Sequence, residues 1–357
     1  MAKEPIHGLM QTKGSFQLQG VVTNTEKDDF YKEGKTNKGN PKRKVKFGVQ
    51  YEKDKAVNVE LQGFTKNNVY FYNNKEKKSM NIPWDERFNF SKDGFRLMGV
   101  NCGVTKIIDS EGKEVNDKKL LTEFDACKEI GENLHDDVSV FVRGNLDFSS
   151  FKDSDGNTIR LVKLLPNQVS LLTKKVNFEK EDFNPVHDFT QTIMFMGITQ
   201  EVEADVKTGR YVVEAKIVTY SSIEDAEFII ENSSLANIFR KNLKPYNAIT
   251  VWGKITPRTQ TDTVEVESND VWGESNDMER VNAPTRREFI ITGADKSSLD
   301  TTIYSKEAVE QGMIKIRNAQ AARSDFGSTN NDNADDDWGA PVADLSGVDL
   351  DDEDAPW

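Results

Sequence analysis

The sequence predicts a mainly β protein made of two tandem small barrels, each with one helix between its third and fourth strands, followed by a disordered acidic C-terminal tail. Three observations lead to this prediction. The 357 residues contain a weak internal repeat, their apolar residues alternate with polar ones in many short segments, and the composition changes abruptly at Phe326. A chain of this length accommodates two domains of typical size.

The internal repeat is clearest where a helical stretch leads into a strand that contains a glycine. Leu134 and Gly144 are ten positions apart, as are Leu243 and Gly253. Apolar residues at helical spacing precede both strands, and strict alternation fills them. A second match aligns residues 16–23 with residues 193–199, each a strand bent at a glycine. Five short antiparallel strands with this helix form the pattern of the OB-fold; another Greek-key barrel or an α+β arrangement shares the same periodicity.

Changes in composition predict the boundaries between these units. We expect a first barrel over residues 1–175 with an inserted loop or subdomain at about 64–117, a polar linker at 176–187 and a second barrel at 188–295. A helical segment should follow at 296–325. Residues 326–357 contain few large apolar side chains and should be disordered.

The net charge of −13 is distributed unevenly. From Phe326 onward there are ten acidic residues and no basic ones, which leaves 47 basic against 50 acidic residues in the body. Cys102 and Cys127 lack metal-ligand spacing, and the three histidines are scattered, so we expect two buried cysteines and no metal or other cofactor. Neither a signal peptide nor a membrane span is evident, which favours the cytoplasm.

Clusters of basic residues indicate where nucleic acid could bind. One cluster crowds the Gly- and Asn-rich connection after the first strand, where a mobile loop could close over a phosphate backbone or remain a solvated hairpin tip. A shorter cluster occupies the corresponding connection of the second half. The candidate cations in these two connections are Lys42, Arg43, Lys44, Lys46, Lys207 and Arg210.

Strand alternation places an aromatic residue and a basic residue on the outward face of both fourth strands. These residues are Phe141 and Arg143 in the first half, and Trp252 and Lys254 in the second. An aromatic ring can stack on an unpaired base while the cation neutralises a phosphate. The same rings could instead pack beneath inserted loops.

Two further groups complete the candidate single-strand surface. Within the insertion, aromatic residues interleave with arginine and could form either a stacking platform or a small satellite core. Beyond the fourth strands lie residues at the last hairpin, where an OB-fold often contacts its ligand. The candidates are Trp84, Arg87 and Phe88 in the insertion, and Phe151, Lys152, Arg160 and Arg258 near the last hairpins.

The chain ends in a dense acidic run followed by Ala355, Pro356 and Trp357. An aromatic tip gains nothing from water, but it can fill an apolar pocket with a basic rim on a partner. The ending resembles that of bacterial and phage single-stranded DNA-binding proteins. The candidate docking residues are Asp351, Asp352, Glu353, Asp354, Pro356 and Trp357.

This resemblance implies sequence-independent coating of single-stranded DNA in replication, recombination and repair. It also implies that the tail recruits polymerase, helicase or primase, and a virus-encoded protein would fit the two unequal barrels. We expect no catalytic activity. The alternatives are a protein-interaction scaffold with a solubilising or DNA-mimicking tail, and a nuclease or primase-associated subunit. Oligomeric state and the preference among DNA, RNA and duplex stay open at the level of sequence.

Overall fold

The computed structural model describes residues 5–153, 155–203, 205–258 and 286–325. The predicted mainly β architecture is confirmed. The first half runs β1 (Gly14–Thr23), β2 (Tyr31–Lys35), β3 (Pro41–Glu52), β4 (Lys55–Phe64), β5 (Asn68–Asn73), β6 (Lys78–Pro83), β7 (Arg96–Leu97), β8 (Val100–Gly103), β9 (Lys106–Ile108), β10 (Glu114–Asn116), β11 (Lys119–Leu121), α1 (Glu123–Asn133), β12 (Ser139–Lys152) and β13 (Thr158–Leu171).

The second half is simpler and runs β14 (Val186–Glu203), β15 (Val206–Val218), β16 (Ile223–Ile230), α2 (Ser233–Asn242), β17 (Ala248–Arg258), β18 (Arg286–Asp300) and α3 (Lys306–Asp325). Its five strands pair in a circuit: β14 with β15, β15 with β16, β16 with β18, β18 with β17, and β17 with β14. Among the described helices, none combines the length and the hydropathy needed to cross a bilayer.

Helices α1 and α2 lie where the sequence repeat predicts them. Thr122 caps α1, because its side chain accepts a hydrogen bond from the backbone N–H of Asp125. The cap of α2 is Asn232, whose side-chain oxygen accepts hydrogen bonds from the backbone N–H groups of Ser234 and Leu235. Asparagine is among the residues preferred at this position, because its side-chain oxygen satisfies N–H groups that have no partner within the helix.

The strands of the first half follow the same order, with additions between β4 and α1. Adjacent strands of the sheet follow the order β4-β3-β1-β12-β13. The insertion adds a separate three-stranded sheet of β6, β5 and β7, which packs around its own buried residues Val69, Phe71 and Ile82.

A ladder between β1 and β14 joins the two halves. The strands pair antiparallel with Phe16 opposite Phe189. Phe16 also lies opposite Gly144 on β12, and Phe189 opposite Gly253 on β17. Equivalent strands that pair antiparallel are related by a local twofold axis, so Gly144 and Gly253 occupy corresponding positions. The weaker sequence match is out of register, because Gly20 follows Phe16 by four residues and the proposed equivalent Gly197 follows Phe189 by eight.

Candidate nucleic-acid interface

The basic cluster of the first half lies on a strand and not in a mobile loop. β2 and β3 pair from Tyr31 opposite Val45 to Lys35 opposite Pro41, which leaves only residues 36–40 for the turn. Val45 and Phe47 are fully buried, and the lysines at alternate positions project from the other side of β3. We call the outer side of β2, β3, β4 and β13 the lysine face; its cations are Lys32, Lys42, Lys44, Lys46 and Lys163.

Two carboxylates form ion pairs with lysines of the lysine face. Glu60 on β4 lies between the Lys44 ammonium at 2.8 Å and the Lys163 ammonium at 3.3 Å. Burial raises the pKa of the Glu60 carboxyl, but the hydrogen bonds and charges of the two lysines outweigh burial and lower it overall. Lys46 contacts Asp29 at 3.0 Å. Partly exposed ion pairs contribute only about 0–1 kcal/mol, so a phosphate can compete for these lysines.

An apolar patch on the β12–β13 hairpin adjoins the lysine face. Phe151 lies opposite Ile159, and two positions further along β13 stand Leu161 and then Lys163. Residues at alternate positions share one face of a strand pair, so these side chains form a continuous row. Phe151, Ile159 and Leu161 are 49%, 37% and 39% exposed. We call these three residues the hairpin patch.

The other two candidates on this hairpin face away from the hairpin patch. Lys152 and Arg160 occupy the alternate positions of the same ladder. Arg160 crosses to the second half, where its guanidinium contacts Glu227 at 3.1 Å and Asp225 at 3.7 Å. The last hairpin therefore offers one aromatic side chain to a ligand and uses one cation to join the halves.

Arg43 and the insertion form a different arrangement near the start of α1. Arg43 turns away from the lysine face, pairs with Glu33 at 2.9 Å and lies 4.0 Å above the Phe124 ring. Arg87 is clamped by Asp125, at 2.8 and 3.1 Å, and lies between the rings of Trp84 and Phe88 at 4.3 and 4.2 Å.

These contacts decide between the two interpretations of the insertion. Trp84 packs against the insertion core and edge-on to Phe124, so it anchors the insertion on α1. Phe88 is 63% exposed and keeps one side of its ring open to solvent. The satellite core is therefore present, and Phe88 is an exposed ring at its margin.

The fourth strands do not present equivalent motifs. Phe141 is buried at 7% exposure, so it cannot stack on a base without a rearrangement. Because Gly144 corresponds to Gly253, Arg143 occupies the position of Trp252. The two predicted pairs of an aromatic and a basic residue are therefore offset from each other by two residues along the strand. Arg143 is half-buried beside Gln17.

Trp252 remains exposed, but it lies on a different surface from the lysine face. Its indole lies flat over Gly293 on β18, where any Cβ would approach the ring within 2.6 Å. Lys254, two residues on, pairs with Asp188 at 2.6 Å. This outer side of β17 and β14 is therefore a mixed surface with one exposed ring, 43% accessible.

Two predicted phosphate ligands of the second half, Arg210 and Arg258, are neutralised by acidic residues. Arg210 contacts Glu288 at 2.5 Å, Glu201 at 3.5 Å and Glu231 at 3.7 Å. Arg258 contacts Glu201 at 3.0 Å, Glu288 at 2.9 Å and also Glu203. The hydrogen bond to Glu288 raises the pKa of the Arg258 guanidinium. These two predicted phosphate ligands are held in an ionic network, whereas the predicted ligand Lys207, at the end of β15, is exposed.

Reactive groups are few within the described ranges. Burial raises the pKa of both Cys102 and Cys127 to about 12, which keeps the thiols protonated and agrees with two buried cysteines. No cluster of three or more His, Cys, Asp or Glu residues in these ranges is arranged to hold a metal ion. The predicted docking tip, 351–357, lies outside the described residues.

Sequence reasoning missed four members of the surface formed by the lysine face and the hairpin patch. Lys32 and Lys163 supply cations, and Ile159 and Leu161 supply apolar area. A signal was present, because residues 159, 161 and 163 alternate along one strand. Their side could not be assigned until the pairing partner, β12, was known.

Comparisons with known proteins place the chain in a family. Two crystal structures of the single-stranded DNA-binding protein from Thermus aquaticus are among the similar folds. A deletion variant is 9% identical with a TM-score of 0.38 over 83% of this chain and 98% of that chain. The wild-type protein is 10% identical with a TM-score of 0.38 over 80% and 93%. No curated protein matches the chain in sequence. A family model described as YorF matches residues 13–328. The chain therefore belongs to the YorF family.

Proposed function

We propose that both halves are OB-folds and that the first half binds single-stranded DNA without sequence preference. The observation that carries this proposal is the continuity between the lysine face and the hairpin patch. In an OB-fold, oligonucleotides bind across strands 2 and 3 and against the loop between strands 4 and 5. Here β3 and β4 correspond to strands 2 and 3, and the β12–β13 hairpin supplies the loop between strands 4 and 5.

The two parts of this surface have complementary chemistry. Lysine ammonium groups bind phosphates as point charges and release counterions, which gives affinity that does not depend on sequence. An exposed ring such as Phe151 can stack on any base, and each stack contributes about 1–3 kcal/mol. A duplex keeps its base faces stacked on one another, so Phe151 would find no partner there. The surface therefore favours unpaired strands over duplex.

The wider role follows from this binding mode together with the C-terminal sequence. We propose a non-catalytic protein that coats and protects single strands during replication, recombination and repair in the cytoplasm of a bacterial host, at the nucleoid or replication site. The tip residues Asp351 to Trp357 would recruit a polymerase, helicase or primase. A protein-interaction scaffold is the competing function, and it requires no affinity for DNA.

A titration with labelled oligonucleotides tests the proposal. Fluorescence anisotropy of oligo-dT and of a duplex of equal length should show preferential binding of the single strand, weakening as salt rises. Phe151→Ala should weaken oligo-dT binding about 5- to 150-fold, because one stack is lost. Phe88→Ala is the matched control, since it removes another exposed ring outside the surface. No binding of oligo-dT by the wild-type chain would reject the proposal, and an effect of Phe88→Ala alone would move the site to the insertion.

A further inference from the structure

The local twofold axis allows the DNA-binding side of the first half to be compared with the second half position by position. Val21 lies five residues after Phe16 and pairs with Gln50 on β3. Met194 lies five residues after Phe189 and pairs with Lys216 on β15. β15 therefore corresponds to β3, and β16 corresponds to β4, with Gln50 and Lys216 at the same position.

The corresponding positions carry a more negative net charge in the second half. Moving outward along the strands, Lys46 is replaced by Val212 and the uncharged Gly48 by Glu214. On the neighbouring strand, Asn58 is replaced by Glu227. Two further changes run in the same direction, with Asp225 in place of Ala56 and Glu231 in place of Gln62, and two run against it, with Lys216 in place of Gln50 and Ile229 in place of Glu60. Together with Lys44 and its counterpart Arg210, these eight pairs of positions carry a net charge of +1 in the first half and −2 in the second.

One position carries a cation in both halves, but in the second half carboxylates neutralise it. Arg210 stands where Lys44 stands in the first half, but it contacts three carboxylates. Lys44 contacts one carboxylate, which it shares with Lys163. A phosphate can therefore replace Glu60 at Lys44, whereas at Arg210 it would have to displace a network.

Arg160 of the first half contacts the acidic outer side of β16 in the second half. Glu214 lies directly opposite Glu227 on β16, and like charges in that arrangement repel. The Arg160 guanidinium sits on Glu227 and Asp225, and Lys216 contacts Asp225 at 2.5 Å. These cations neutralise the carboxylates from within the chain and leave no excess positive charge to attract a phosphate.

We infer that a single strand of DNA crosses the first half alone, and that the outer side of β15 and β16 excludes it. The inference rests on the proposed function and specifies its path. Each chain then binds one strand over the length typical of a single OB-fold, about 4–16 nucleotides, although it contains two such units. The second half serves as a support that fixes the β12–β13 hairpin through Arg160.

Matched charge reversals on the two halves test this path in the full chain. Lys44→Glu should weaken oligo-dT binding at least tenfold and reduce the slope of log K against log salt by about 1, as expected for a lost phosphate contact. Lys216→Glu reverses a lysine that is likewise paired with a carboxylate, and it should change affinity less than twofold at about 0.15 M salt, where distant charges are screened. Thermal unfolding of each variant checks folding, and Lys44→Gln replaces Lys44→Glu if the latter unfolds.

A second charge reversal on the second half completes the test. Glu214→Lys places a cation on the second half beside Glu227, and the affinity for oligo-dT of about 10 nucleotides should stay within twofold because that strand remains on the first half. Equal weakening by Lys44→Glu and Lys216→Glu, or a wild-type footprint about twice that of one OB-fold, would overturn the inference while leaving single-strand binding intact. Absence of wild-type binding would instead reject the proposed function.

Discussion

His187 on β14 sits in the contact between the two halves and is almost fully buried. Its ring stacks on Tyr51 of β3 at 4.0 Å, with the planes 9° apart, and its Nδ1–H donates to the Ile255 carbonyl at 2.7 Å. Burial lowers the pKa of His187, and the hydrogen bond to Ile255 opposes this effect without cancelling it. The folded protein therefore keeps this imidazole neutral.

This burial predicts a pH dependence of stability with a definite sign. A lowered pKa means that the unfolded chain takes up the proton first, so the contribution of His187 is complete above about pH 6.5 and is lost as pH falls through the folded pKa. His187→Gln should lower the free energy of unfolding by about 1 kcal/mol at pH 7.5 and flatten its decline between pH 7 and 5.

Urea unfolding at several pH values measures this, with the exposed His135→Gln as the control. The same decline in both variants and the wild type would show that His187 is not the group responsible.

At the scale of elements, α1 connects the insertion to the rest of the first half. Its first turn carries Phe124, which touches both Arg43 and Trp84, and Asp125, which binds Arg87. Gly63 on β4 lies against the backbone of Phe124, where a Cβ would approach within 2.1 Å. A helix packed this closely is a firm base for a subdomain with a small core of its own.

Removal of the Arg87 clamp should loosen the insertion alone. Arg87→Met keeps an apolar stem between the rings of Trp84 and Phe88 but loses the paired hydrogen bonds to Asp125. We expect amide hydrogen exchange over residues 68–97 to accelerate about tenfold, since a charged hydrogen-bonded pair contributes about 1.5–3 kcal/mol. Lys78→Met is the control, because that lysine is exposed and pairs with the exposed Glu76. Unchanged exchange in Arg87→Met would mean that apolar packing holds the insertion.

The same elements show how far sequence reasoning reaches. Alternation and helical spacing predicted the β-rich halves and their helices, because these patterns record local burial. Lys42 to Lys46 were assigned to a loop, since a lysine-rich run beside Gly39 and Asn40 has the composition of a turn, although Val45 and Phe47 already alternate with the lysines. Arg210 and Arg258 looked available for phosphate because the acids that bind them, Glu201 and Glu288, are distant in sequence and meet only in the folded sheet.

At the scale of the whole molecule, the two halves share one sheet and one core. Phe148 of the first half lies 6.3 Å from Phe228 and 6.1 Å from Phe289 of the second. Arg287 on β18 donates to the carbonyls of Val162 and Asn58 at 2.8 and 2.9 Å, and its burial lowers the guanidinium pKa to about 10. Each half thus extends a strand pair against the other, as the twofold relation requires.

This sharing predicts that the halves unfold together. Phe189 lies at the centre of the β1–β14 ladder and stacks near Phe228, so Phe189→Ala should destabilise the protein by about 3–5 kcal/mol. Hydrogen exchange in β3 and in β15 should respond equally, because opening either half exposes the common core. Phe88→Ala, which removes an exposed ring, should change neither. Two separate unfolding transitions, or a response confined to β15, would mean that the β1–β14 ladder only tethers two independent domains. The ion pair between Arg160 and Glu227 would then form only while both domains are folded.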